Sequence, residues 1–199
     1  MTNSTEVTGL ILAGGQGKRM GHVDKGLQRF RGSTMITHVL RRLAPQVKKV
    51  AIIANQNTDA YSVFGAPVWP DDLTGFEGPL AGLETGLRRC MTDYLVTVPC
   101  DSPFLPVDLV QRLCEALHAN DADLAVAETI DAGRVQPQPV FALMKAAVLP
   151  HLSDYLASGG RKMDGWYDSI KVVRVRFEDS DGFRNINTLS ELQQFEKEA

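Results

Sequence analysis

The sequence predicts an α/β protein in which a largely parallel sheet is covered by helices on both faces. Short apolar runs alternate with stretches whose apolar residues recur every three or four positions, an order typical of parallel sheets. The first apolar run ends in Gly14-Gly15-Gln16-Gly17, a glycine-rich segment. The chain has 199 residues, 44% of them hydrophobic, with no linker or break in composition. We therefore expect a single domain over residues 1–199.

The first half of the chain predicts four strands and three helices. The strands are apolar runs at residues 8–12, 47–54, 66–69 and 94–98. A first helix is predicted from a cap at Ser33 or Thr34, through apolar residues at helical spacing, to Pro45. Residues 79–91 predict a second helix, and a third begins at Pro106, which suits a first helical position.

The second half predicts a less regular arrangement. Apolar and β-branched runs indicate strands at residues 123–128, 140–144 and 171–176. Helical spacing indicates helices at residues 145–157 and 189–197. No break in composition separates these elements from the first half, so we place no domain boundary between them.

Charge and cysteine content exclude several classes of protein. The formal net charge of −3 argues against a general nucleic-acid or membrane-surface binder. The three cysteines, Cys90, Cys100 and Cys114, are odd in number and lack C-x-x-C spacing, which favours neither a disulfide framework nor a zinc site. The first residues lack the pattern of a secretory signal, and no apolar run approaches the ~18 residues of a membrane span. We expect a protein of the reducing cytoplasm.

Polar or glycine positions follow each of the first four predicted strands. These positions are Gly14-Gly15, Asn55, Asp71-Asp72 and Asp101. In an open parallel sheet the carboxyl ends of the strands meet at one edge, where ligands bind. Each position also has a local explanation, because Asn and Asp are common in turns and Asp101 precedes Ser102-Pro103 as a helix cap would.

The glycine-rich loop fits a phosphate-binding function but not the familiar motifs. Glycine lets backbone N–H groups approach an anion, and Arg19 and Lys25 supply positive charge. The P-loop pattern is absent because Gly15 stands where its lysine would be. The dinucleotide pattern started at Gly15 has Met20 at its last glycine position. Solvated surface charge is the competing interpretation of both cations.

Four motifs together resemble a known family of nucleotidyltransferases. They are Leu12-Ala-Gly-Gly-Gln-Gly-Lys-Arg-Met20 followed by Asp24-Lys25-Gly26, Gly75-Phe-Glu-Gly-Pro-Leu-Ala-Gly82, Pro99-Cys-Asp-Ser-Pro-Phe104 and Asn185-Ile-Asn-Thr188. The combination resembles the molybdenum cofactor guanylyltransferases, which join GMP from GTP to molybdopterin and release pyrophosphate. The resemblance implies a three-layer α/β/α, Rossmann-like nucleotidyltransferase fold.

The resemblance also implies a division of the site between two substrates. The N-terminal half would bind the nucleotide and the C-terminal half would contribute to the molybdopterin side. The implied nucleotide-binding residues are Leu12, Ala13, Gly14, Gly15, Lys25, Asn55, Asp71 and Asp101. The implied catalytic residues are Arg19, Lys25 and Asp101, and Asp101 would also bind Mg²⁺. The implied molybdopterin-side residues are Gly78, Gly82, Asn185 and Asn187.

The molybdopterin-side residues have structural explanations as well. A turn with close helix packing explains Gly78 and Gly82, and a turn into a helix capped by Asn187 or Thr188 explains the asparagines. One position departs from the family, because some members carry a further Asn two residues before Asn55, where this chain has Ile53. Fewer side chains are then available to select guanine.

Two other functions remain open on the sequence. Within the fold, the chain would transfer CMP to molybdopterin or act on a sugar phosphate. In a different class, it would bind nucleotide as a regulator without turnover. We expect a monomer that uses GTP and molybdopterin, binds neither nucleic acid nor membrane, and makes transient contacts with cofactor-biosynthesis proteins or apo-molybdoenzymes.

Overall fold

A computed structural model describes residues 6–15, 23–72, 78–131 and 133–197. Strands within these residues are β1 (Val7–Leu12), β2 (Arg29–Phe30), β3 (Ser33–Thr34), β4 (Lys49–Ile53), β5 (Val68–Trp69), β6 (Tyr94–Pro99), β7 (Leu124–Asp131), β8 (Arg134–Lys145) and β9 (Val172–Phe177). The α-helices are α1 (Met35–Leu43), α2 (Thr58–Ser62), α3 (Pro79–Arg89), α4 (Leu109–Ala119), α5 (Leu149–Ala157), α6 (Met163–Tyr167) and α7 (Leu189–Lys197). No helix in these ranges is long and apolar enough to cross a membrane.

The main sheet has the strand order β5-β4-β1-β6-β8-β7-β9. Neighbouring strands run parallel except at β8, which is antiparallel to both β6 and β7. The chain moves from β1 outward through β4 and β5, then returns to the other side of β1 with β6. This reversal of strand order at β1 is where open α/β sheets bind ligands.

Helices cover both faces of the sheet, as predicted. One apolar core joins the sheet to α1 and α4, and the other joins it to α3, α5 and α6. β1 is buried on both sides, with Ile11 in the first core and Leu10 in the second. Each fully buried leucine or isoleucine side chain contributes about 1.5–3 kcal/mol to the stability of the fold. The α/β/α class of fold predicted from the sequence is therefore confirmed.

A third, smaller core fastens the C-terminal helix to the β2–β3 hairpin. Its buried members are Phe30, Met35, Ile186 and Leu192. Since the hairpin directly follows the Asp24-Lys25-Gly26 segment, this packing brings the segment before α7 to the same edge of the sheet as the segment after β1.

Several predicted boundaries are wrong. The third predicted helix does not start at Pro106. The N–H of Leu109 donates to the carbonyl of Pro106, three residues before it, so these residues form a turn and α4 begins at Leu109. The helix predicted at residues 145–157 begins only at Leu149, because Lys145 still pairs with Tyr94 in the sheet. A short 3₁₀ turn then leads into α5. β8 is longer than predicted because it forms a hairpin with β7.

Candidate active site

Hydrogen bonds between neighbouring strands hold their carboxyl ends side by side. The N–H of Ala13 donates to the carbonyl of Ile53 (2.8 Å), and the N–H of Ala54 donates to that of Trp69 (3.0 Å). On the other side, the N–H of Cys100 donates to the carbonyl of Leu12 (3.2 Å). The residues that follow β5, β4, β1 and β6 therefore share one edge, as the sequence predicts.

Asn55 and Asp71 are joined by two hydrogen bonds at this edge. The Asn55 amide donates to Asp71 Oδ2 (2.7 Å), and its side-chain carbonyl accepts from the backbone N–H of Asp71 (2.8 Å). The two bonds fix the Asn55 side chain in one orientation. Gly14 passes directly over the pair, since a Cβ atom there would lie 3.1 Å from Asn55 Nδ2.

The second carboxylate oxygen of Asp71 is buried, and the described protein groups give it no hydrogen-bond partner. Burial and, to a lesser degree, the neighbouring Asp72 raise the pKa of the Asp71 carboxyl, while the Asn55 hydrogen bond lowers it. An orphaned buried acceptor costs about 1–3 kcal/mol, a cost that a donor group from a ligand would offset. A ribose hydroxyl or a base N–H supplies such a donor.

Lys25, Asp101 and Asn187 form a second group, here called the Lys25 cluster. Lys25 Nζ donates to Asp101 Oδ2 at 2.9 Å and to Asn187 Oδ1 at 2.6 Å. The Asp101 side chain is 9% exposed and that of Lys25 is 23% exposed. A charge-assisted hydrogen bond between side chains this far buried is stronger than one between surface side chains.

The segment that carries Asn185 and Asn187 is bound to the end of β6. The N–H of Ile186 donates to the carbonyl of Asp101 (2.9 Å), and the Ser102 hydroxyl donates to the Asn185 side-chain carbonyl. The two asparagines predicted for the molybdopterin side thus lie beside the residues predicted for the nucleotide and the metal. The structure therefore brings residues from both predicted halves of the site together at the end of β6.

A capping box at the start of α7 fixes Asn187. The Thr188 hydroxyl accepts from the N–H of Glu191 (3.1 Å), and the Glu191 carboxylate accepts from the N–H groups of Asn187 (2.7 Å) and Thr188 (3.1 Å). The cap is worth about 1 kcal/mol to helix stability. Glu191 stands outside the four motifs, but the Thr-x-x-Glu spacing that begins at Thr188 is a sequence signal for this cap.

The predicted glycines have distinct environments. In α3, a Cβ atom on Gly82 would lie 3.1 Å from Asp71 Oδ1 and 3.2 Å from Leu12 Cδ2. Gly78 precedes this helix with a φ angle of +80°, which favours glycine. A Cβ atom added to Gly15 or Gly78 would have no neighbour within 4 Å among the described atoms. Ile53 packs against Gly82 and is 1% exposed, which makes it part of the core.

One predicted residue cannot be placed. Arg19 lies in residues 16–22, outside the described ranges. The first residues of the Gly75–Gly82 motif, up to residue 77, also lie outside them. Within the described ranges, no group of three His, Cys, Asp or Glu side chains is arranged to hold a metal. A metal at Asp101 would therefore rely on this carboxylate with oxygen atoms of the substrates and water.

The fold and the polar residues at the strand ends define a nucleotidyltransferase of the Rossmann-like type, and the comparisons with known proteins agree. Residues 9–170 match the family model described as the MobA-like NTP transferase domain. The chain belongs to this family.

Relatives with curated names match over nearly their whole length. The molybdenum cofactor guanylyltransferase of Bordetella petrii is 54% identical, covering 98% of this chain and 99% of its own. That of Cupriavidus metallidurans is 53% identical, covering 100% of this chain and 98% of its own. The similarity is thus spread over both halves of the predicted site.

Solved structures share the fold at lower identity. The molybdopterin-guanine dinucleotide biosynthesis protein A of Archaeoglobus fulgidus is similar with a TM-score of 0.76 at 21% identity, over 96% of this chain and 97% of that one. A CMP:2-keto-3-deoxy-manno-octonic acid synthetase complexed with CTP reaches the same TM-score at 14% identity, over 96% and 97%. At these identities the likeness concerns the fold.

Proposed function

We propose that this chain transfers GMP from GTP to the phosphate of molybdopterin and releases pyrophosphate. The names of the relatives that are more than 50% identical over nearly the full length support this reaction. The observation that carries the proposal is the Lys25 cluster, in which a lysine, a carboxylate and an asparagine from three distant parts of the chain converge. A non-catalytic regulator would have no need of this convergence.

The proposed reaction needs little acid–base chemistry. An oxygen of the molybdopterin phosphate attacks the α-phosphorus of GTP, forming one P–O bond, while the bond to the β-phosphate breaks and pyrophosphate leaves. The attacking phosphate is already an anion, so it requires no strong general base.

Repulsion between the two anionic substrates is the main obstacle. Two unit charges 4 Å apart repel by about 1 kcal/mol in water and about 4 kcal/mol at an effective dielectric constant of 20. A triphosphate that meets a phosphate includes several such pairs, so electrostatic stabilisation would dominate catalysis. We assign this role to Lys25 and, on the family resemblance, to Arg19.

The donor set fits a magnesium ion. Mg²⁺ takes one or two carboxylates and completes its coordination with substrate phosphates and water, and Asp101 offers a carboxylate next to Lys25. The chemistry that Mg²⁺ supplies when bound is neutralisation of the triphosphate charge. The chain's own residues hold the two substrates and keep the Lys25 ammonium directed at their phosphates.

We assign the two substrates to two parts of the site. Leu12, Ala13, Gly14, Gly15, Asn55 and Asp71 would bind the nucleoside, with the orphaned Asp71 oxygen accepting a donor from it. The contacts of Gly82 with Asp71 and Leu12 favour this side for Gly82 also. Gly78, Asn185 and Asn187 stay assigned to molybdopterin, with Asn187 at the boundary between the substrates.

A comparison of nucleotides tests the proposal. The purified chain is given molybdopterin and Mg²⁺ with GTP in one reaction and CTP in another, and pyrophosphate is measured. We expect release with GTP and at least about tenfold less with CTP, a difference of about 1.4 kcal/mol between the two bases. Release with CTP alone would replace guanylyl by cytidylyl transfer. Nucleotide binding without any pyrophosphate release over hours would support the regulator.

A further inference from the structure

Asp24, the residue before Lys25, is held by two side chains from another part of the chain. The Tyr61 hydroxyl donates to Asp24 Oδ1, and the Asn57 amide donates to Asp24 Oδ2 at 3.1 Å. Both donors belong to the segment after β4, Tyr61 within α2 and Asn57 just before it. We call this arrangement the Asp24 clasp.

The Asp24 clasp is anchored in the hydrophobic core through Tyr61. The Tyr61 side chain is fully buried in the core shared by the sheet and α1. Burial raises the pKa of the Tyr61 phenol, so the hydroxyl stays protonated and remains a donor. Gly26 passes closely over it, since a Cβ atom there would lie 2.5 Å from Tyr61 Oη and 3.3 Å from Cys100 Sγ. Asp24 and Gly26, the two neighbours of Lys25, are thus both fixed against Tyr61.

The clasp has a consequence for the charge of Lys25. A carboxylate adjacent in sequence is a natural competitor for the lysine ammonium, and it would also repel a triphosphate. Because each oxygen of Asp24 accepts a hydrogen bond within the clasp, the Lys25 side chain extends instead to Asp101 and Asn187. The clasp therefore occupies both oxygens of Asp24 and leaves the lysine to bind Asp101.

We propose that Tyr61 is a positioning residue that acts through Asp24 to set the place of Lys25 in the active site. Asn57 supports it from the exposed side. The inference rests on the proposed function in one respect, namely that Lys25 binds the nucleotide triphosphate. It assigns α2 a role in nucleotide binding, although none of the four sequence motifs includes a residue of this helix.

The test compares two buried phenols that each make one hydrogen bond. Tyr61→Phe removes the hydroxyl that donates to Asp24, and Tyr167→Phe removes one that donates to the carbonyl of Pro139 at 2.6 Å. Tyr167 is 3% exposed, so both substitutions leave a buried ring in place. The melting temperature should fall in both variants. Only Tyr61→Phe should raise the Kd for Mg-GTP, measured by calorimetry, by about tenfold.

A double-mutant cycle identifies the route of the effect. If Tyr61 acts through Lys25, Tyr61→Phe should change Mg-GTP binding less than about twofold when it is introduced into Lys25→Ala. Full additivity of the two substitutions would overturn the proposal, as would an unchanged Kd in Tyr61→Phe alone. Asn57→Gly keeps the positive φ of +52° accessible and removes the second donor from an exposed position. It should raise the Kd about threefold, and it provides the test if Tyr61→Phe does not fold.

Binding and turnover are read separately so that the two proposals can fail separately. Mg-GTP binding that depends on Tyr61, without formation of a dinucleotide, would refute guanylyl transfer and support the clasp. Turnover at GTP concentrations well below KM that is equal in the wild type and Tyr61→Phe would refute the clasp and leave guanylyl transfer intact. No binding of Mg-GTP by the wild-type chain would refute both.

Discussion

Replacing Gly82 by alanine adds one methyl group where α3 touches the ends of three strands. The new carbon would lie 3.0 Å from Ile53 Cγ2, 3.1 Å from Asp71 Oδ1 and 3.2 Å from Leu12 Cδ2. Carbon atoms at rest are about 3.5–4.0 Å apart, so each neighbour must move by several tenths of an ångström. Overpacking costs about 1–3 kcal/mol, and the better helix propensity of alanine returns about 1 kcal/mol. We expect a net loss of stability of about 0–2 kcal/mol.

The substitution should also weaken the binding of GTP. Displacement of Asp71 and Leu12 should raise the KM for GTP about tenfold, which corresponds to about 1.4 kcal/mol of binding energy. Steady-state kinetics with each substrate varied in turn measures the change, and urea unfolding measures stability.

Gly86 provides a matched control one turn along the same helix. A Cβ atom there would lie 2.3 Å from Leu10 Cδ2, inside the core and away from Asp71. With the same gain in helix propensity subtracted, Gly86→Ala should destabilise the chain by at least as much as Gly82→Ala, because its overlap is deeper. It should leave the KM for GTP unchanged. A rise in KM confined to molybdopterin in Gly82→Ala would refute the reasoning and assign Gly82 to the second substrate, as the family resemblance implies.

Three further predictions concern the charged side chains. Asp101→Ala should lower Mg²⁺-dependent turnover at least about 1000-fold with the far-ultraviolet circular dichroism unchanged, and an active variant would exclude Asp101 as the metal ligand. Lys25→Ala should raise the KM for GTP and lower kcat, each about tenfold or more, and an unchanged KM would argue against its contact with the triphosphate. The raised pKa of Asp71 means that the folded chain keeps this proton to a higher pH than the unfolded chain, so the free energy of unfolding falls as the pH rises above the ordinary value of 3.8. Asp71→Asn should flatten this fall in urea unfolding measured from about pH 4 to 7, and an unchanged slope would contradict the burial of the carboxylate.

The parallel half of the sheet was predictable because each strand is an apolar run followed by a residue with a polar side chain or a glycine. Asn55 and Asp71 illustrate this, since the ends of adjacent parallel strands must lie side by side. Their mutual hydrogen bonds, and the orphaned oxygen that results, depend on side-chain placement, and the sequence pattern does not contain that information.

Contacts between distant segments were the least predictable part of the site. Lys25 and Asn187 are separated by 162 positions. They meet because Ile186 enters the small core around Phe30, a contact that neither segment's periodicity indicates. Tyr61 was missed for a similar reason, because α2 spans five residues and is too short for an apolar repeat. Such contacts follow from tertiary packing, which local sequence does not record.

Analysis of the reaction product tests guanylyl transfer most directly. The chain is incubated with GTP, Mg²⁺ and molybdopterin, and the pterin product and pyrophosphate are quantified by mass spectrometry and an enzyme-coupled assay. We predict one pyrophosphate for each molybdopterin guanine dinucleotide formed, and neither product above background with Asp101→Ala. GTP hydrolysis without a dinucleotide, or equal product from Asp101→Ala, would contradict the proposed reaction and its site.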